Sequence, residues 1–168
     1  MQVRACTLAD LEAVQSIYAH YVRTGLASFE EDPPSPEELQ RRFRALVADG
    51  FPFLVMQSGD RLAGYAYASP FRPRSAYRFT CESSVYVAPD MQRRGVGRTL
   101  MLHLIEDSER CGKRQMLAVI GDSANRASIA LHAALGFEHV GTFKNIGFKF
   151  QRWVDVVLMQ RGLCERKS

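Results

Sequence analysis

An α/β (α+β) domain is the fold class that the sequence predicts, with a central sheet of mixed strand direction flanked by helices on both faces. Two observations carry this. Segments of period 2 and of period 3.6 alternate along the chain in the order β α α β β β α β α β β. Hairpin-like connections and helical crossovers coexist, so neighbouring strands cannot all run the same way.

Each element has its own signal. A short strand, Val3 to Cys6, opens the chain, and Thr7 caps a helix whose third position is Asp10, a weak form of capping box. Leu11, Val14, Ile17, Tyr18 and Tyr21 recur at helical spacing, and Gly25 stops the helix. The extended connection Ala27 to Pro34 contains an exposed aromatic, Phe29. A second helix has Ser35 as N-cap, Pro36 at its first position and Glu38 closing the box, with Leu39, Phe43, Leu46 and Val47 as its apolar face before Gly50. The period then changes to strands. Phe53 to Gln57 and Arg61 to Ser69 flank the Gly59-Asp60 turn signal. The loop Pro70 to Ser75 leads into a long strand, Tyr77 to Val87. The remaining expectations are a helix over 96–110, a strand over 115–120, a helix over 125–135, and final strands around 140–143 and 153–160.

Composition narrows the function classes. The chain has 168 residues, 46% hydrophobic and 24% charged, which suits one ordinary globular domain over residues 1–168. It is long enough to fold without metal or disulfide staples. The apolar runs fall far short of the roughly 18 residues of a membrane span, and the N-terminal MQVRACTLAD has an acidic residue where a signal peptide would be apolar. A cytoplasmic protein with no membrane partner is expected. Cys6, Cys81, Cys111 and Cys164 lie far apart with no CxxC pair, so buried or semi-buried thiols are expected, with no metal site. The net charge of +4 is spread along the chain and is joined by no nucleic-acid module. It fits a small anionic ligand better than a duplex.

The most informative stretch runs from Ser84 to Arg98, SVYVAPDMQRRGVGR, and takes a strand directly into a helix start. Pro89 ends the strand. Gly95 and Gly97, flanking Val96, remove side chains where the backbone turns, so several N–H groups can converge on an anion at the positive end of the helix dipole. Arg93, Arg94 and Arg98 add charge there, and a pyrophosphate is the natural guest. The stretch is neither a Walker loop, since no Lys-Ser or Lys-Thr follows, nor the GxGxxG dinucleotide fingerprint. Taken alone, the GxG also fits a plain helix entry with solvated arginines.

The motif has company. Gln92-x-x-Gly95-x-Gly97 resembles the coenzyme A pyrophosphate loop of the Gcn5-related N-acetyltransferase (GNAT) superfamily. About thirty residues later, Asn125-x-x-Ser128-x-x-Leu131-His132-x-x-Leu135-Gly136-Phe137 is similar to that superfamily's second signature. The resemblance extends over nearly the whole chain to the phosphinothricin and methionine sulfoximine acetyltransferase branch. Its marks are Ala27-Ser28-Phe29-Glu30, Phe71-Arg72-x-Arg74-x-Ala76-Tyr77, the run Glu82 to Val87, and Gly147-Phe148-Lys149-x-x-x-Trp153-x-Asp155-Val156. The resemblance implies the GNAT fold, with a mostly antiparallel twisted sheet. It also implies acetyl-CoA as cosubstrate and direct transfer in a ternary complex to the α-amine of a small amino acid analogue. A homodimer whose interface borders the substrate pocket, near Lys149 and Trp153, is implied as well.

The chemistry assigns expected roles. An amine of pKa near ~9 is only about 1% neutral at pH 7, so a base recovers roughly 2 to 3 kcal/mol. Glu82 stands in the strand before the glycine turn; it is either a surface-facing glutamate or, as the resemblance implies, that base. The tetrahedral oxyanion needs a donor, and the resemblance implies a backbone N–H of Val85, Tyr86 or Val87, where the superfamily parts its strands around the acetyl group. His132, on the inward face of its helix where many superfamily members have Tyr, is a core histidine, a proton donor to sulfur or a substrate-orienting group. Asn125 caps its helix, binds the pantetheine amides, or does both. Arg72 and Arg74 suit a carboxylate or phosphinate, with Tyr77, Phe29 and Glu30 completing the pocket; a solvated Pro-Arg-Pro-Arg turn is the alternative. Competing functions are acetylation of a protein N-terminus or polyamine, and a non-enzymatic acyl-CoA sensor.

Overall fold

The computed structural model describes residues 1–163; Cys164 lies outside the described residues. The strands are β1 (Gln2–Ala5), β2 (Phe53–Ser58), β3 (Arg61–Pro70), β4 (Thr80–Val87), β5 (Gln115–Gly121), β6 (Glu138–Lys149) and β7 (Arg152–Gly162). The helices are α1 (Leu11–Thr24), α2 (Pro36–Ala48), α3 (Val96–Arg110) and α4 (Arg126–Ala134). One seven-stranded sheet has the order β1-β2-β3-β4-β5-β7-β6. Among the described residues every neighbouring pair is antiparallel except β4 and β5, which α3 connects. The expected mixed, mostly antiparallel sheet between helices is the fold found.

Alternation along β3 shows how the two layers divide. A side chain at Gly64 would meet Val96 and Leu100 of α3. Its neighbour Tyr65 points the other way, stacking on Tyr86, which in turn meets Tyr18 of α1 edge-on. So α1 and α3 cover opposite faces. The α3 stripe Val96, Leu100, Met101, Leu104 and Ile105 is fully buried, as are Leu11, Val14, Ile17 and Val22 of α1. The α2 start follows the sequence reading: Ser35 Oγ accepts from the Glu38 amide at 3.2 Å, with Pro36 at the first position.

Some boundaries differ from those expected, each for a local reason. Leu8–Asp10 form a 3-10 turn before α1, and Asp10, held by Arg4 at 2.7 Å, accepts from the Thr7 amide and hydroxyl. Tyr77, expected to open the long strand, instead ends another 3-10 turn, Ser75–Tyr77, in which its N–H bonds to the Arg74 carbonyl, and β4 begins only at Thr80. β6 is far longer than the four residues expected. It is an edge strand exposed along most of its length, so no apolar alternation marks it. Its hairpin to β7 turns through Phe150 and Gln151, at φ 52° and 59°, without the Gly or Asn that advertises such a turn.

Candidate active site

The site begins where two parallel strands part. β4 and β5 pair only from Thr80–Gln115 to Ser83–Ala118, although β4 runs on to Val87 and β5 to Gly121. Ser84, Val85 and Tyr86 form one wall of the resulting cleft and Val119, Ile120 and Gly121 the other, while Asn125, Ser128 and His132 of the α4 segment close it. The backbone polarity of the walls follows from register. Ala88 N–H bonds to the Ala63 carbonyl, so even-numbered groups of β4 are spent on β3, and the N–H groups of Val85 and Val87 face the gap. The Val87 carbonyl accepts from Tyr21 Oη at 2.6 Å, and Gln92 Nε2 donates to the same hydroxyl at 3.1 Å.

Beyond Val87 the chain turns through Pro89–Met91 and enters α3 at Gly95, whose φ of 79° is a left-handed conformation open to glycine at no steric cost. Thr99 N–H is bonded to the Gly95 carbonyl at 3.0 Å, while the amides of Val96, Gly97 and Arg98 are first-turn donors without a carbonyl four residues back. Arg93, Arg94 and Arg98 are exposed around this turn. The first-turn amides and the three arginines thus gather at one helix start, where a side chain at Gly97 would meet Val87 at the end of β4 and Leu131 of α4. Asn125 Oδ1 accepts from the Ser128 amide at 3.2 Å and caps α4.

Glu82 lies on the other face. It pairs with Ser69, and the side chains of Glu82, Ser84 and Tyr86 share a face with Tyr65, Tyr67 and Ser69, the face covered by α1. It is half-buried, and burial raises its carboxyl pKa above the usual range. It is therefore not a fully solvated strand glutamate. Tyr67 stands opposite Ser84 in the β3–β4 register. Next to this row, Tyr18, Phe43, Phe53, Tyr65 and Tyr67 line a cavity under α2 that ends at Ser69 and Pro70.

The expected acceptor residues are less gathered. Arg72, Arg74 and Tyr77 are exposed beyond Pro70, outside the aromatic cavity. Tyr77 meets Phe71 edge-on at 5.6 Å, and the Arg72 guanidinium lies over the Phe71 ring at 5.2 Å. Phe29 packs across Gly147, where any side chain would collide with its ring, and also touches Gly121 at the end of β5. Glu30 is engaged within the protein: it accepts from Arg42 at 2.6 Å and from Tyr18 Oη at 3.1 Å. Lys149, only 2% exposed, donates to the carbonyls of Val22, Gly25 and Ser28, which ties the end of β6 to the loop carrying Phe29. Tyr18, Tyr21, Arg42 and Tyr67 were missed as site residues. Three of them carry only the signal of an amphipathic helix, and Tyr67 only that of a strand.

Three thiols are described: Cys6 and Cys81 are buried, with pKa values pushed up to about 12 and about 11 by burial, and Cys111 is exposed. No described helix is long and apolar enough to cross a membrane.

The family described as acetyltransferase (GNAT) domain matches residues 3–158. A phosphinothricin N-acetyltransferase of Alcaligenes faecalis is 54% identical over 95% of this chain and 83% of its own. An L-methionine sulfoximine/L-methionine sulfone acetyltransferase of Salmonella typhimurium is 37% identical over 100% and 98%. Among solved structures, a ribosomal-protein-alanine N-acetyltransferase from Brucella melitensis superposes with a TM-score of 0.94 at 40% identity, covering 97% of this chain and 100% of that one. A GNAT superfamily phosphinothricin acetyltransferase from Sinorhizobium meliloti, in complex with AcCoA, also gives 0.94, at 43% identity over 99% and 90%. With likeness of this extent in sequence and in fold, the chain belongs to the GNAT acetyltransferase family.

Proposed function

We propose that this enzyme transfers the acetyl group of acetyl-CoA to the α-amine of a small anionic amino acid analogue, of the phosphinothricin or methionine sulfoximine class, by direct attack in a ternary complex. The observation that carries the reading is the opening of β4 from β5 at Ser83, with first-turn amides of α3 at its mouth and Glu82 on the opposite face of the same strand. The residues fit the cosubstrate. The pyrophosphate takes the amides from Val96 to Arg98, with Arg93, Arg94 and Arg98 around it, and the extended arm lies along the N–H groups of Val85 and Val87. One of these amides holds the oxyanion as the tetrahedral intermediate forms.

Glu82 removes the proton from the acceptor ammonium, directly or through one water, and its raised pKa makes the carboxylate a better proton acceptor than an exposed one. Arg72 and Arg74, beside Tyr77 and Phe29, hold the acceptor's acidic groups at the rim. Glu30 acts through Arg42 and Tyr18 as a support for this loop. The chain works as one domain, as a cytoplasmic homodimer. The exposed apolar residues Phe143, Ile146, Phe148, Phe150 and Trp153 of β6, β7 and the turn between them, Trp153 at 62% exposure, are the face such a dimer would cover. Acetylating the amine of an inhibitory amino acid analogue removes a positive charge and a donor, which is a route to resistance.

A second reading is acetylation of a protein N-terminus, favoured by the name of the Brucella melitensis structure. A thiol-release assay over a panel decides between them. The first reading expects turnover with phosphinothricin and methionine sulfoximine and little with an alanine-terminated peptide; the reverse order overturns it.

A further inference from the structure

His132 has a buried nitrogen with nothing to bind. Only 3% exposed, it forms an edge-on contact with Phe137, and its Nδ1 lies 2.8 Å from the Ser128 carbonyl. A carbonyl only accepts, so Nδ1 carries the proton and Nε2 is a bare lone pair. That Nε2 is buried without a hydrogen-bond partner, and the residue lines the β4–β5 cleft. Burial lowers the imidazole pKa, which keeps this neutral tautomer at physiological pH. A resting His132 is therefore an acceptor and has no proton to donate into the cleft.

Its level in the cleft identifies the donor. From Asn125 at the head of α4 to His132 is seven residues, roughly 10 Å of helix. From Gly121 back to Ala118, where pairing with β4 resumes, is three residues, again roughly 10 Å of strand. Asn125 accordingly stands nearer the mouth and His132 nearer the closed end, marked by the last paired residues, Ser83 and Ala118, which line the same cleft; an arm anchored by its pyrophosphate at Gly95 to Arg98 and entering the cleft would end on that side. In this end group a thioester sulfur bears no hydrogen, whereas a thiol does.

We propose that His132 Nε2 accepts the hydrogen bond of the product thiol, so that the cleft recognises coenzyme A by its S–H. The inference rests on the cosubstrate reading of that cleft. On collapse of the intermediate the C–S bond breaks with its electron pair on sulfur and the C–N bond is kept. Nitrogen gives its second proton to solvent as the intermediate collapses and sulfur takes one from water in exchange, while the first, removed by Glu82 and returned to solvent, is the net proton released; the S–H then turns to Nε2.

Calorimetric titration with coenzyme A, desulfo-coenzyme A and acetyl-CoA tests this. In the parent enzyme, coenzyme A should bind roughly three- to tenfold more tightly than its desulfo analogue, the size of one hydrogen bond to a neutral group. His132→Leu should erase that ratio and leave the desulfo and acetyl compounds unchanged; His132→Gln, whose Oε1 can replace Nε2, should keep it. Equal affinities of the two compounds for the parent enzyme overturn the proposal without any variant. So does a ratio that survives in His132→Leu, or a parallel loss of desulfo-coenzyme A binding, which would assign Nε2 to an amide of the arm. Failure of all three compounds to bind the parent overturns the cleft reading instead.

Discussion

The two sides of β4 are built from different materials. Toward β5 the strand offers backbone: the N–H groups of Val85 and Val87 and the amides that open α3. Toward α1 it offers side chains: Glu82, Ser84 and Tyr86 in a row with Tyr65 and Tyr67. A backbone site depends on topology and on glycine, so it can bind the same pyrophosphate whatever the flanking residues are. A side-chain site depends on which residues stand there and on what buries them. On the proposed function, the cosubstrate side is the generic half of this molecule and the acceptor side the specific half.

The comparison breaks most sharply at Glu82. Glu82→Gln should lower turnover by roughly 10² to 10⁴ while acetyl-CoA affinity holds. Because burial raises the Glu82 pKa, the parent should lose activity as pH falls through a value above the usual carboxylate range. The variant should lack that limb, and its deficit should narrow at high pH, where the amine deprotonates unaided. The same shift has a stability sign. The folded state holds the Glu82 proton to higher pH than the unfolded chain does, so the charged residue destabilises at neutral pH. Glu82→Gln should melt higher than the parent at pH 7, with the difference vanishing in acid. A pH-independent activity defect would make Glu82 a positioning residue.

On the acceptor side, Arg72→Ala and Arg74→Ala should each raise the KM for an acidic acceptor by about 10- to 100-fold, the loss of one charge-assisted pair. Neutral amino acid amides should be poor substrates and nearly insensitive to either change. Equal losses with both acceptors would mean that the exposed loop acts through folding. The smallest effect is expected at the head of α4, where Asn125→Ala removes the bond to the Ser128 amide. It should cost about 1 kcal/mol of stability in denaturant titration, with little change in kcat.

Legibility in the sequence followed the same division. Gly95, Gly97 and Pro89 are local requirements of one turn, so the anion site could be read from adjacent residues. Ser35, Pro36 and Glu38 marked the α2 start for the same reason. The acceptor side depends on contacts across the chain. Nothing near Arg42 announces Glu30, nothing near Tyr21 announces the Val87 carbonyl, and Lys149 reaches three carbonyls more than a hundred residues away. Only the strand over 140–143 of β6 was legible and its full extent was not: it is exposed along most of its length, and its turn at Phe150 and Gln151 uses residues that do not signal one.

The central claim is that one strand carries two separable functions, cosubstrate binding on its β5 side and proton removal on its α1 side. Measuring acetyl-CoA affinity and single-turnover acetylation side by side in Gly97→Val and Glu82→Gln tests it most directly. The account predicts a crossed result: Gly97→Val loses affinity but recovers the parent rate at saturating acetyl-CoA, and Glu82→Gln keeps affinity but loses the rate. Proportional loss of both quantities in both folded variants would contradict it.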